Sequence, residues 1–202
     1  MRLYSYVVRY DVGFAPNPFQ GVCSLATCKQ DIRERASVGD WIFGWSSALG
    51  GRESTLVYAM RVDEIVSYDE YWNDPRFDEK RPTMRGSRKQ AFGDNIYHRS
   101  VRGEWIQQDS RHSLANGSPN PDHIARDTKS EQVLLGREFV YFGGDGPAAP
   151  DSLRTSFERD TVHAGRGYSV NFAPDQIEAA ITWAQSLEPG MRGRPSHWPK
   201  RH

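Results

Sequence analysis

The chain is poor in cysteine. Its 202 residues include two, Cys23 and Cys28. That is too few for a disulfide scaffold and fits free thiols in a reducing compartment. Long apolar runs are also missing: nothing approaches the roughly 20 residues of a membrane-spanning helix. The opening Met1-Arg-Leu-Tyr lacks the apolar core of a secretory signal. No membrane partner is expected, and the expected location is cytoplasmic. Excess charge of one sign is absent, since 26 Lys and Arg balance 26 Asp and Glu. Proteins that coat a duplex need a strong positive field, so the balance argues against that class. The common catalytic signatures are missing as well: no G-x-S-x-G elbow, no phosphate-binding Gly loop with its Lys, no H-E-x-x-H. Cys23 and Cys28, five apart, have a poor zinc spacing, and His98, His112 and His123 are scattered. No metal and no cofactor is expected, and no residue is assigned a catalytic role. Burial is preferred for Cys28 over a reactive thiol at a helix start.

What the chain does have is aromatic side chains, with 6 Trp, 9 Tyr and 9 Phe. These enlarge what each buried position contributes and make a lean core sufficient for one domain. Residues 1–190 are expected to form that domain, and 191–202 a basic, disordered tail. Alternation predicts strands over Arg2–Tyr10, Trp41–Trp45, Thr55–Val66 and Gln132–Phe142, with shorter ones at Asn95–His98 and Glu104–Gln107. Period two puts Trp41, Phe43 and Trp45 on one face, and Gly50-Gly51 turns this strand into the next. Thr27-Cys-Lys-Gln30 has the form of a capping box and predicts an early helix through Ile32 to Ala36. Pro174 opens the last regular element, a helix whose stripe is Ile177, Ala180, Ile181, Ala184 and Leu187. Tyr68–Phe77 reads as a short helix or turn, Pro82–Gly93 as a mobile loop, and His112–Asp127 as polar turns. The expected class is α+β, a small mixed β-barrel or curved sheet with an early and a C-terminal helix.

The segment Asp11-Val-Gly-Phe-Ala-Pro-Asn-Pro-Phe19, closed by Gly21, carries the functional expectation. Pro16 and Pro18 stiffen it, and it sets the rings of Phe14 and Phe19 beside Asp11 and Asn17. Rings next to hydrogen-bonding edges suit a flat heteroaromatic ligand such as a nucleobase. Plugs into the core are the equal alternative. In Gly93-Asp94-Asn95-Ile96-Tyr97-His98, Asp94 and Asn95 have the groups that read a base edge; an Asx-turn is the competing reading. Arg126-Asp127 reads as a structural ion pair. Charge is segregated: seven acids against Arg76 over Asp63–Glu79, then seven bases against Asp94 over Lys80–Arg102. A basic lip that orders over phosphate and a pair of solvated faces both fit this jump.

The same segments resemble the second of the nucleotide modification associated domain families. They are the Asp11–Phe19 loop, Cys23-Ser-Leu-Ala-Thr-Cys-Lys29 with Ile32-Arg33, Gly39-Asp40-Trp41, Tyr71-Trp-Asn-Asp-Pro-Arg-Phe77, Gly93-Asp-Asn-Ile-Tyr97, Arg126-Asp127, Val133-Leu134 and Phe139-Val-Tyr-Phe-Gly143. The resemblance implies a bacterial or phage system that modifies bases in nucleic acid, and leaves the reaction open. Ala36–Ser47 followed by a strand and Tyr71–Pro75 is similar to the EVE group of PUA-like barrels, which implies a base-binding aromatic pocket. The resulting expectation is a module that recognises a modified nucleotide, in DNA more than in RNA. Phe14 with Trp41 or Trp45 would stack, while Asp11, Asn17, Asp94 and Asn95 would read edges. Lys29, Arg88 and Arg99 would lie near phosphate, and Phe19 and Tyr97 would complete the pocket. The alternative is an enzyme acting on such a base, a glycosylase-like hydrolase or a transferase.

Overall fold

The structure is a computed structural model and describes residues 1–48 and 53–199. The expected Gly50-Gly51 turn, and Lys200 and Arg201 of the tail, lie outside the described residues. In chain order the elements are β1 (Leu3–Val8), β2 (Cys23–Leu25), α1 (Gln30–Arg35), β3 (Trp41–Ser46), β4 (Leu56–Arg61), β5 (Glu64–Ser67) and α2 (Tyr68–Asn73). A 3-10 turn (Pro75–Lys80), α3 (Arg88–Ala91), β6 (Tyr97–Arg99), β7 (Trp105–Gln107), α4 (Pro121–Asp127) and β8 (Gln132–Gly136) follow. The chain ends with β9 (Phe139–Gly143), α5 (Asp151–Arg154), β10 (Tyr168–Ser169), α6 (Pro174–Ser186) and β11 (Gly190–Arg194). The protein is α+β, and it divides into two compact units.

The first unit comprises Met1–Val12, Ser37–Asp63 and Gly136–His202. Its sheet runs in the order β10-β1-β3-β4-β9-β11. It is mixed: β1 pairs parallel with β3, β3 antiparallel with β4, β4 antiparallel with β9, and β9 parallel with β11. The expected barrel is corrected here, because this order leaves β10 and β11 as edges and no barrel closes among the described residues. Alternation along β3 sends Trp41, Phe43 and Trp45 to one face, as expected. There they form a single core with Leu3, Leu56, Ala59, Val140 and the α6 stripe Ile177, Ala180, Ile181 and Ala184. Burying each isoleucine contributes about 1.5–3 kcal/mol.

The expected disordered tail also needs correction. Gly190–Arg194 is strand, held by β9, and Gly193 permits the approach: a Cβ there would lie 1.9 Å from the Phe142 carbonyl oxygen.

The second unit comprises Gly13–Ala36 and Glu64–Leu135. It holds a three-stranded sheet, β2-β8-β5, and the β6–β7 hairpin. Two expected strands are each two strands in different sheets. Thr55–Val66 breaks at Val62-Asp63 into β4 and β5, and Gln132–Phe142 breaks after Gly136 into β8 and β9. Asp63 serves both breaks, since its Oδ2 accepts from the Arg137 and Glu138 amides. The expected loop Pro82–Gly93 contains α3, started by a Ser87–Gln90 capping box. The polar stretch His112–Asp127 contains α4, started by Asn120 and Pro121.

Candidate functional site

In the first unit the expected binding residues are structural. The Asp11 carboxylate accepts from Tyr141 Oη and, at 2.8 Å, from the Ser196 amide, while the Asp11 carbonyl accepts from the His197 amide. Asp11 therefore anchors the segment after β11. Trp41 and Trp45 are buried; Trp45 donates from Nε1 to Ser5 Oγ at 2.9 Å and lies parallel to Trp183. Neither ring offers a free face, because the β3 alternation turns both into the core.

In the second unit Asp94, Asn95, Asn17 and Phe19 are equally buried. Asp94 accepts from Ser24 Oγ at 2.6 Å and from Tyr71 Oη at 2.9 Å. Ser24 Oγ in turn accepts from Lys80 Nζ at 3.0 Å, and Lys80 also donates to the Asn17 carbonyl (3.2 Å) and Asn17 Oδ1 (2.8 Å). Asn17 Nδ2 reaches the Phe92 carbonyl at 2.9 Å, and Asn95 Nδ2 reaches the Tyr71 carbonyl at 2.9 Å. This network pins the Phe/Pro loop to β2 and the 3-10 turn, while the buried Asn95 Oδ1 beside it is left without a partner. Lys80, counted in the sequence among the bases of a surface lip, is its buried centre. Burial lowers the Lys80 ammonium and raises the Asp94 carboxyl, each partly offset by the other's charge. Cys23 lies against the pair, and burial pushes its thiol up to about 12. It is an inert core residue. Arg88 is exposed; Arg99 pairs with Glu131 at 2.6 Å and lies over the Trp105 ring.

A different set of residues in this unit has the geometry of chemistry. Cys28 Sγ lies 3.7 Å from His112 Nε2, and His112 Nδ1 lies 2.6 Å from Asp127 Oδ2. Asp127 is fully buried and, as an ionised carboxylate, accepts the Nδ1 proton. That assignment leaves the Nε2 lone pair facing the thiol. The same Oδ2 accepts from Tyr97 Oη at 3.0 Å, and Gln107 Nε2 donates to that phenol at 3.0 Å. Burial opposes a charged His112, but the Asp127 bond, then the bond and charge of Cys28, outweigh it and push the imidazole up to about 8. Burial also raises Asp127, and the bond and charge of His112, with Arg126 and Tyr97, bring it below the ordinary carboxylate range.

Local structure explains how these groups meet. Cys28 and Lys29 both have left-handed backbones, φ 57° and 41°. Such conformations cost a non-glycine residue about 1–2 kcal/mol each. They displace the expected capping box: α1 starts at Gln30 behind Lys29, and the buried Thr27 hydroxyl caps nothing. The strain is held by Arg33. Its guanidinium donates to the carbonyls of Cys28 (2.9 Å), Ser130 (2.8 Å), Gln132 (2.6 Å) and Asp127. One buried side chain thus fixes the backbones of both the thiol and the carboxylate. From the Phe/Pro loop, Phe14 sets its ring edge-to-face on His112, centroids 4.7 Å apart. Phe14 is therefore a wall of the site and no open stacking platform. Tyr97, expected in the pocket, serves Asp127. Lys29 is half-buried beside the thiol, and burial lowers its ammonium. Cys28, His112 and Asp127 are 84 and 15 residues apart in sequence, so no local motif announces them. The sequence signal that existed was Asp127 beside Arg126 and a Cys at a helix entry.

In this α+β protein the thiol, imidazole and carboxylate thus stand in line on a turn held by Arg33. The chain belongs to the nucleotide modification associated domain 2 family, whose model matches residues 1–202. No curated protein and no solved structure gives a significant match. The family's description ties the chain to nucleotide modification. No helix among the described residues is long and apolar enough to cross a membrane.

Proposed function

We propose that this protein is an enzyme of nucleotide modification in which Cys28 is the nucleophile, His112 the acid–base and Asp127 the group that orients His112. The observation that carries the reading is the continuous line Cys28 Sγ, His112, Asp127 at 3.7 and 2.6 Å. The Cys28 proton passes to His112 Nε2 and the sulfur bonds to an electrophilic carbon on a base or on its modifying group. The leaving group departs with the imidazolium proton. Water or an acceptor hydroxyl or amine then gives its proton to His112 and displaces the sulfur. Buried Asp127 holds the ring in the required tautomer and favours its charged form. The substrate we propose is a modified base in DNA, in line with the family's setting. Recognition by stacking on Phe14, Trp41 or Trp45 has less support, since all three rings are packed.

The test is incubation of DNA carrying hydroxymethylated, glucosylated or methylated bases with the wild type and Cys28→Ser, followed by nucleoside mass spectrometry. A changed nucleoside with the wild type alone supports the reading. Unchanged nucleosides across the panel, with Cys28 alkylated by iodoacetamide no faster than free cysteine, refute it.

A further inference from the structure

We propose that residues 82–93 form a preshaped lobe that holds the phosphate backbone of DNA through Arg85, Arg88 and Lys89, so that the base is taken within a polymer and not as a free nucleotide. The ligand's identity rests on the nucleotide-modifying reading above; the place of contact rests on the lobe's own charge and exposure. Residues 82–93 hold these three cations and no acid. Every residue from 83 to 90 is exposed. The acids that precede the lobe in sequence do not neutralise it, because Glu64 and Asp74 pair with Arg76, and Asp78 with Arg81. Among the described residues Arg85 and Arg88 make no ion pair and no side-chain hydrogen bond, and the Lys89 ammonium rests 5.7 Å from the centre of the Phe19 ring. A pair of mutually neutralising faces therefore does not account for these three. Uncompensated cations in one patch attract a polyanion, and each one that meets a phosphate releases a counterion.

The lobe's shape is set by its own hydrogen bonds. The Thr83 amide donates to the Gln90 carbonyl at 2.9 Å, the Gly86 amide to the Thr83 carbonyl at 2.9 Å, and Ser87 and Gln90 cap α3 reciprocally. Its ends close on Lys80: the Asn95 amide donates to the Lys80 carbonyl at 3.1 Å, and a Cβ at Gly93 would lie 2.3 Å from that same oxygen. Lys80 Nζ holds Asn17, and Asn17 Nδ2 returns to the Phe92 carbonyl. The Phe/Pro loop that carries Asn17 also carries Phe14, the wall against His112. Lobe and wall thus hang from one buried network in the second unit, which fixes a held strand relative to the relay. A lobe already ordered loses little conformational freedom on binding, and its two guanidinium groups suit bidentate phosphate contact.

Binding of the full chain to a fluorescein-labelled DNA duplex is measured by anisotropy from about 50 to about 200 mM salt. The duplex carries no base modification, since phosphate contact does not read the base and no reaction then consumes the probe. The triple variant Arg85→Gln, Arg88→Gln, Lys89→Gln is expected to lower the slope of log affinity against log salt by about 2–3, at about 0.9 per contact. Across that salt range wild type is then expected to lose about 40-fold more affinity than the variant. Melting should stay with wild type, because exposed side chains of this kind hold little of the fold. Arg85→Lys with Arg88→Lys is expected to keep the wild-type slope, which counts charges. An unchanged slope in the glutamine variant, a slope lost equally in the lysine variant, or wild type binding phosphatidylserine vesicles or polyglutamate as tightly as the duplex overturns the proposal. The slope change as described, with no nucleoside altered in the mass-spectrometric test, leaves the lobe standing and sinks the nucleophile. Altered nucleosides with an unchanged slope do the reverse.

Discussion

Replacing Lys80 tests whether the Asp94 network is structural. Lys80 is 2 % exposed, and its three donors all go to protein acceptors: Asn17 twice and Ser24 once. Lys80→Met leaves the Asn17 carbonyl and Oδ1 short of a donor and strips buried Asp94 of its nearby positive charge. Removing one member of a buried charge pair costs about 3–5 kcal/mol, because the other stays desolvated. The second substitution, Asp94→Asn, removes the stranded charge and keeps an oxygen acceptor for one of Ser24 and Tyr71. Asp94→Asn is therefore expected to cost less in the Lys80→Met background than in wild type, by a coupling of about 0.5–3 kcal/mol, the range seen for residues in one network. Urea unfolding followed by tryptophan fluorescence on the four proteins measures the cycle, and Lys80→Gln serves as the milder arm. Additivity within about 0.5 kcal/mol, or a Lys80→Met cost below about 1 kcal/mol, refutes the network as drawn.

The same pair has a pH signature. Asp94 is raised in the fold, chiefly by burial, so its contribution is fullest below its unfolded value and is lost as pH rises through the folded one. Asp94→Asn does not titrate, so its deficit against wild type should narrow from acid towards neutral pH in thermal melts; a widening deficit would contradict the shift. At Lys29, with φ 41°, glycine is expected to be more stable than alanine by about 1 kcal/mol, the reverse of their order inside a helix; equal melting temperatures would show that the turn is unstrained. Gly193→Ala puts a methyl against the Phe142 carbonyl and should cost about 1–3 kcal/mol, with amide exchange of Met191 and Arg194 accelerating first. Arg33→Lys loses the planar fork that reaches four carbonyls, so it should cost about 2–3 kcal/mol and slow Cys28 alkylation, whereas an unaltered alkylation rate would remove Arg33 from the site.

The elements legible in the sequence were those with one buried face. The β3 alternation and the α6 stripe are legible because Trp41, Phe43, Trp45 and Ile177, Ala180, Ile181, Ala184 meet one core. The strands that cross between sheets look like single runs in the sequence because Val62-Asp63 and Arg137-Glu138 interrupt no period. What ends them is Asp63 accepting from amides 74 and 75 residues on, a contact no window can contain. In the sequence Lys80 counts as surface because lysine normally is. Its burial depends on Asn17 of the Phe/Pro loop and Ser24 of β2, 63 and 56 residues away.

The site was illegible for a related reason. Thr27-Cys-Lys-Gln30 is a good capping box by composition, and local propensity alone favours a helix started at Thr27. Arg33 decides otherwise. From inside α1 it bonds back to the Cys28 carbonyl and across to those of Asp127, Ser130 and Gln132. Those charge-assisted bonds contribute about 1.5–3 kcal/mol each, and together they exceed the about 2–4 kcal/mol that two left-handed residues cost. The tertiary bonds win over the cap, the turn is forced open, and the thiol is left facing His112 where a regular helix start would have tucked it in. Cys28 thus sits on a turn that composition reads as a capping box, and the residue that decides against the cap is the arginine four positions into the helix.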